Sequence, residues 1–212
     1  MNVLAIGSHP DDIEIGCGGT LHKLAALGHT TSILVLTQGE IGGDPAIRRQ
    51  EQEKAAEILK VKTVFWGGYK DTKISFETDV IKRIEKVVLE TAPDIVFVHA
   101  PDDTHQDHRH VNACALSASR HVKSILFYEV PTSIDFTPNI FNDVQESFDA
   151  KIEALKAHAS QVYKTNIADL SILRIAESLA NFRGTQSKVR FAEGFRSPRM
   201  LLNLCLSDGE CR

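Results

Sequence analysis

Residues 3–19 read VLAIGSHPDDIEIGCGG, an apolar run that closes on Gly7 and turns through Ser8-His9-Pro10-Asp11-Asp12 into a glycine-rich segment. An apolar run without alternation marks a strand buried on both faces, as in a parallel sheet. Working outward, equivalent runs recur at residues 32–37, 63–66, 95–99 and 125–128, each rich in Val, Ile, Leu or Phe. Between them lie segments of helical period at 18–27, stopped by Gly28, at 45–60, with Pro45 in the first turn, at 76–90 and at 106–120. Strands alternating with helices predict a Rossmann-like, doubly wound α/β sheet, mostly parallel, of order about 3-2-1-4-5 with helices on both faces.

Beyond this βα core of residues 1–130, segment 131–143 carries Pro131, Pro138 and Asn139 without a strand pattern, which predicts a loop that leans over the site. Helices at 148–159 and 169–182, the second stopped by Gly184, and a strand at 199–205 read as an elaboration of the same domain, so that 1–212 is one unit. With 212 residues, 42% hydrophobic and 25% charged, the chain has enough apolar material for a single core. A net charge of −4 and the lack of a Lys/Arg block argue against nucleic acid. The chain opens on its first strand without a leader pattern, and no apolar run approaches the roughly 18 residues of a membrane span. Its four cysteines form no C-x-x-C pair, so neither a disulfide framework nor thiolate zinc is expected, and the location expected is cytoplasmic. Nothing here bounds self-association, and a homo-oligomer stays open.

In a sheet of this order, ligands sit outside the carboxyl ends of the first and fourth strands, where the winding reverses. That rule selects two loops, Ser8 to Gly19 and Ala100 to His108, although about a hundred residues separate them. The second belongs to a stretch of 23 residues holding His99, His105, His108, His110 and His121, five of the nine histidines. Read alone, each loop is an ordinary capped turn. Brought to one crevice, their polar side chains would be costly to bury unless they share a partner such as a metal. A dinucleotide is the rival ligand for this architecture. Gly16-Cys17-Gly18-Gly19 lacks the G-x-G-x-x-G spacing, however, and Asp11, Asp12 and Glu14 would repel a pyrophosphate.

Two histidines and a carboxylate suit Zn²⁺, with Fe²⁺ or Co²⁺ also able to occupy N/O donors, and three ligands leave a position open for catalysis. His9, Asp12 and either His105 or His108 form such a set, which leaves Asp11 over as a general base for an attacking water. The histidine not used as a ligand is expected, as imidazolium, to stabilise an oxyanion or protonate a departing amine, with Asp107 orienting and charging it.

These residues resemble the zinc-dependent N-deacetylases of the LmbE-like or PIG-L-like family, which act on N-acetylglucosaminyl substrates. The family's H-P-D-D-x-E-x-x-C-G-G is met from His9 to Gly19 and its H-x-D-H from His105 to His108, with Arg48, Glu51, Arg183-Gly184 and Ala192-Glu193-Gly194-Phe195 as further matches. The resemblance covers nearly the whole chain. It implies His9, Asp12 and His108 as metal ligands, Asp11 as general base, and His105, paired with Asp107, as the histidine that stabilises the tetrahedral intermediate. It places Arg48 near the polar head of the substrate, weighed against a solvated helix charge, and Glu14 behind a neighbouring ligand. His158 also matches a family element, but is read as a surface histidine. The turn after the second strand departs from the family's T-D-G-E as Thr37-Gln38-Gly39-Glu40.

The expected activity is removal of acetate from a small N-acetylated amino sugar or its conjugate. The alternative is a Rossmann-type module that binds a nucleotide or metal without hydrolysis, which nucleotide-dependent stabilisation without turnover would favour. Glycoside hydrolysis by Asp11 and Asp12 is disfavoured, because adjacent residues seldom hold carboxylates about 5 to 9.5 Å apart across one bond.

Overall fold

Along the first strand, successive side chains enter opposite layers, and Val3, Leu4, Ala5 and Ile6 are all buried. The computed structural model describes residues 1–201. Strands β1 (Asn2–Gly7), β2 (Thr30–Thr37), β3 (Thr63–Tyr69), β4 (Ile95–His99) and β5 (Ser124–Tyr128) pair in parallel, while β6 (Ile140–Asp143) and β7 (Ala192–Arg199) join antiparallel. Together they make one seven-stranded sheet of order β3-β2-β1-β4-β5-β7-β6. Leu4, Ile6, Val96 and Val98 face a core closed by α3 (Thr78–Thr91) and α4 (Gln106–Ala118). Val3, Ala5, Ile33 and Phe97 face a second, covered by α1 (Asp12–Ala26), α5 (Phe148–Ala157) and α6 (Ile172–Ser187). Helix α2 (Pro45–Ile58) follows β2, and its N-cap Asp44 accepts from the Ala46 and Ile47 amides. No described helix is long and apolar enough to cross a membrane.

Several expectations from the sequence are corrected. The helix expected at 18–27 begins at Asp12, so most of the loop expected after the first strand is its first turns, and Cys17 breaks the helical path with φ −147° and ψ 18°. The strand expected at 199–205 is instead β7, Ala192–Arg199; residues 202–205 lie outside the described residues. A run containing Gly194 and Pro198 has weak strand character, and pairing with β5 and β6 on either side overrides it. Segment 131–143 ends in the four-residue edge strand β6, not in loop. Helix α6 runs past Gly184 to Ser187 and is capped by Lys188 in the left-handed region. Gly184 is small for another reason: a Cβ there would stand 2.4 Å from the Arg190 carbonyl oxygen.

Gly16 has the same logic at the site. A Cβ on it would lie 2.2 Å from Cδ2 of Tyr128, a fully buried ring whose hydroxyl donates to the Ile6 carbonyl at 2.8 Å. Gly16→Ala is therefore expected to destabilise the fold by about 1–3 kcal/mol through overpacking. A melting temperature equal to that of the unsubstituted protein would show that Tyr128 yields at no cost.

Candidate metal centre

The carboxyl ends of β1 and β4 bring the two motif loops together. The chain turns sharply at Asp11, which caps α1 with φ 95°, a conformation that short polar residues tolerate best. This turn sets Asp12 back toward its own loop, and the His9 amide donates to Asp12 Oδ2 at 2.8 Å. Nδ1 of His9 then lies 3.3 Å from Asp12 Oδ2, Nε2 of His108 lies 3.4 Å from Asp12 Oδ1, and the two ring nitrogens are 3.4 Å apart. A tetrahedral ion with bonds of about 2.0–2.1 Å has ligand-to-ligand edges of about 3.3–3.4 Å. The two ring nitrogens are spaced like such an edge, and Asp12 turns one carboxylate oxygen toward each ring, Oδ2 to His9 and Oδ1 to His108.

The other nitrogens of both rings are already held, as outer partners hold metal-ligating histidines. Nε2 of His9 faces Asp71 Oδ1 at 3.1 Å and Asp107 Oδ2 at 3.2 Å, and Nδ1 of His108 faces Asp103 Oδ2 at 3.2 Å. Burial opposes a charge on His9, but Asp107, Asp12 and Asp71 outweigh it and raise its pKa well above the ordinary value. Burial likewise opposes a charge on His108, and Asp12 and Asp103 raise its pKa to about 9. For Asp12, burial works against ionisation, yet His108 and His99 hold its carboxyl well below the usual range. An acidic pocket this eager for positive charge suits a cation.

Other triplets converge as well: His9, His105 and His108; Asp12, His99 and His108; His9, Asp71 and Asp107. His99 is fully buried and stacks on His108 with centroids 3.9 Å apart, but its Nε2 accepts the Ser8 amide at 3.1 Å, so that lone pair is occupied. Burial and the neighbouring His108 lower its pKa to about 4.

Asp11 is half-buried beside this triangle, with Oδ2 3.4 Å from Nη2 of Arg48. Burial raises its pKa to about 6, although Arg48 and His158 pull the other way. The result is a carboxylate unusually ready to take a proton. His105 caps α4, and its Nδ1 accepts the Asp107 amide at 3.2 Å. Its remaining nitrogen, Nε2, is left to donate, and burial together with His108 and His9 lowers its pKa. The expected pairing is therefore different: Asp107 meets His105 through its backbone, while its carboxylate serves His9 and the Thr72 amide. His105 is set up as a neutral donor, not an imidazolium.

Arg48 is buried, which removes the solvated-charge reading, and it donates to Gly39 O at 2.8 Å, to Pro10 O at 2.7 Å and to Asp11. It braces the His9-Pro10-Asp11 turn. Glu14 touches none of His9, Asp12 and His108; it accepts from Gln52 Nε2 at 2.6 Å, and Gln52 Oε1 accepts the Asp11 amide at 3.3 Å. His158, read as a surface residue, is fully buried 3.5 Å from Glu14, because α5 packs on α1 and α2. Burial opposes its charge and Glu14 raises its pKa. The loop after β5 does reach the centre, since Thr132 Oγ1 lies 3.3 Å from His108 Nδ1 and Ser133 donates to Asp103. Glu193, one of the family matches, is buried behind α1. Asp103 lies in the loop that the switch-point rule selects but has no expected role there, whereas Asp71 follows the end of β3, a strand end to which that rule was not applied.

Among known families, PIG-L, described as GlcNAc-PI de-N-acetylase, matches residues 4–119. The chain is 36% identical over 167 residues to the uncharacterized deacetylase YaiS of Escherichia coli K12, covering 74% of this chain and 90% of that one. It is 31% identical to the diacetylchitobiose deacetylase of Thermococcus kodakarensis, covering 96% of this chain and 85% of that one. Among solved structures, conserved protein TT1542 of Thermus thermophilus superposes with a TM-score of 0.87 at 26% identity, over 99% of this chain and 100% of that one. The 4-carboxy-2-hydroxymuconate hydratase GalB superposes with a TM-score of 0.83 at 23% identity, over 97% and 100%; that likeness concerns the fold.

Proposed function

This chain belongs to the PIG-L family, and from that membership we propose that it is a metal-dependent hydrolase that removes the acetyl group from an N-acetylated amino sugar or its conjugate. One sheet hosts different reactions, so the reading rests on the site and not on the fold. The observation that carries it is the triangle of His9 Nδ1, Asp12 and His108 Nε2 with a proton-accepting Asp11 beside it.

His9, Asp12 and His108 would hold the ion, Zn²⁺ by its donor set and Fe²⁺ or Co²⁺ as substitutes. When bound, the ion supplies Lewis acidity toward water and the amide carbonyl. Asp11 takes the proton from the attacking water, its basicity raised by burial. His105 donates from Nε2 to the developing oxyanion, a neutral donor that gains strength as charge appears. Arg48 holds Pro10 and Asp11 so that the carboxylate keeps its aim. The reading places the protein in the cytoplasm, where free, buried Cys17 and Cys114 are at home.

Metal analysis of the purified protein, with a screen for amine release from N-acetylglucosamine, diacetylchitobiose and related conjugates, tests the proposal. The expected result is about one divalent ion per chain and amine release that stops on chelation and returns with zinc. A metal-loaded protein that releases no amine from any of these would overturn it, as would release that survives chelation.

A further inference from the structure

Helix α1 is interrupted one turn after Asp12, and the interruption is filled from outside the helix. In an unbroken helix the Gly19 amide would bond to the Ile15 carbonyl. Here that carbonyl accepts Lys151 Nζ at 2.7 Å, while the Gly19 amide donates to Glu193 Oε1 at 2.9 Å and the Thr20 amide to Glu193 Oε2 at 2.7 Å. Lys151 and Glu193 are themselves paired at 2.6 Å and are 2% and 4% exposed. The ion pair thus stands inside the helical hydrogen bond it replaces, the cation on the carbonyl and the anion on the amide.

A buried ion pair is poor evidence of stabilisation, because apolar groups of similar volume often serve the fold as well. What apolar groups cannot do is satisfy both halves of a broken helical bond. Lys151 comes from α5 and Glu193 from β7, so the C-terminal part of the chain decides where the first turn of α1 ends and its second part begins. That first turn carries Asp12. Metal–ligand distances are held to within about 0.2 Å of their usual values, so the placement of that turn matters to the centre.

We propose that Lys151 and Glu193 are positioning residues for the metal centre: by splicing α1 at Cys17 they aim the turn that bears Asp12. The inference rests on the assignment of Asp12 as a ligand. The test is the double variant Lys151→Met/Glu193→Leu, which leaves no lone buried charge and lets the Ile15 carbonyl bond to the Gly19 amide again. Its melting temperature is expected to stay near that of the unsubstituted protein, while zinc affinity measured by chelator competition falls about 10- to 100-fold, as when outer partners of a metal site are lost. Its crystal structure should show Cys17 at helical φ and ψ. A purely structural pair predicts instead that zinc affinity recovers together with stability, and wild-type zinc affinity in the folded double variant would overturn the proposal. Should the double variant not fold, Glu193→Asp keeps the charge but withdraws the carboxylate from Gly19 and Thr20; the same loss of zinc affinity supports the proposal, and an unchanged one overturns it. Failure of the deacetylase reading shows differently, as wild-type protein that binds zinc and releases no amine, and it leaves this comparison of zinc affinities intact.

Discussion

Replacing Asp11 with asparagine is expected to lower kcat by about 10² to 10⁴-fold while zinc stays bound and KM changes little. Asparagine keeps the size of the side chain and accepts the left-handed backbone at φ 95°. What it lacks is the basic oxygen, and that oxygen acts mainly in the transition state. Arg48 loses a partner at 3.4 Å but keeps the carbonyls of Gly39 and Pro10, so the turn itself should hold. The discriminating measurement is turnover beside metal content. If Asp11→Asn worked at near-normal rate with zinc bound, another group would have to be the base. Glu14 is a poor substitute, because it is sealed behind the turn against Gln52 and His158.

His108→Ala should do the opposite: zinc content falls from about one per chain toward none, and activity goes with it. Removing Nε2 of His108 leaves two protein donors, and it also takes from Asp103 its imidazole partner, leaving that carboxylate to the Ser133 hydroxyl and the His105 amide. The loss of affinity should exceed the roughly 100-fold that follows removal of an outer partner. His105→Ala is the matched control. Its Nδ1 accepts only the Asp107 amide, so that variant should retain zinc and lose turnover. Full metal in His108→Ala together with metal loss in His105→Ala would exchange the two roles.

These expectations could be framed because part of the molecule is legible in one dimension. Strands β1 to β5 announce themselves as apolar runs, since a parallel sheet covered on both faces keeps most positions in the middle of its strands apolar and leaves polar residues such as Thr30, Thr63 and Ser124 near their ends. Their order then brings His9, Asp11 and Asp12 to His105 and His108 by topology alone. The weak elements were the short antiparallel ones. β6 has four residues and one neighbour, and β7 carries Gly194 and Pro198, so only pairing reveals them.

Within the site, the sequence by itself determined which residue types meet at the switch point, because motif spacing and strand order are local and topological properties. Only the tertiary structure decided who holds whom. The Asp107 carboxylate turns to His9, not to His105; Arg48 and His158 are buried, not solvated; Asp103 turns to His108; and Asp71 arrives from a loop that no motif marks. The same holds for Lys151 and Glu193, which reach Ile15 and Gly19 across 136 and 174 positions of chain. The physical reason is that a buried polar group must find a partner wherever packing places one, and side-chain direction in three dimensions, which sequence spacing does not encode, selects that partner.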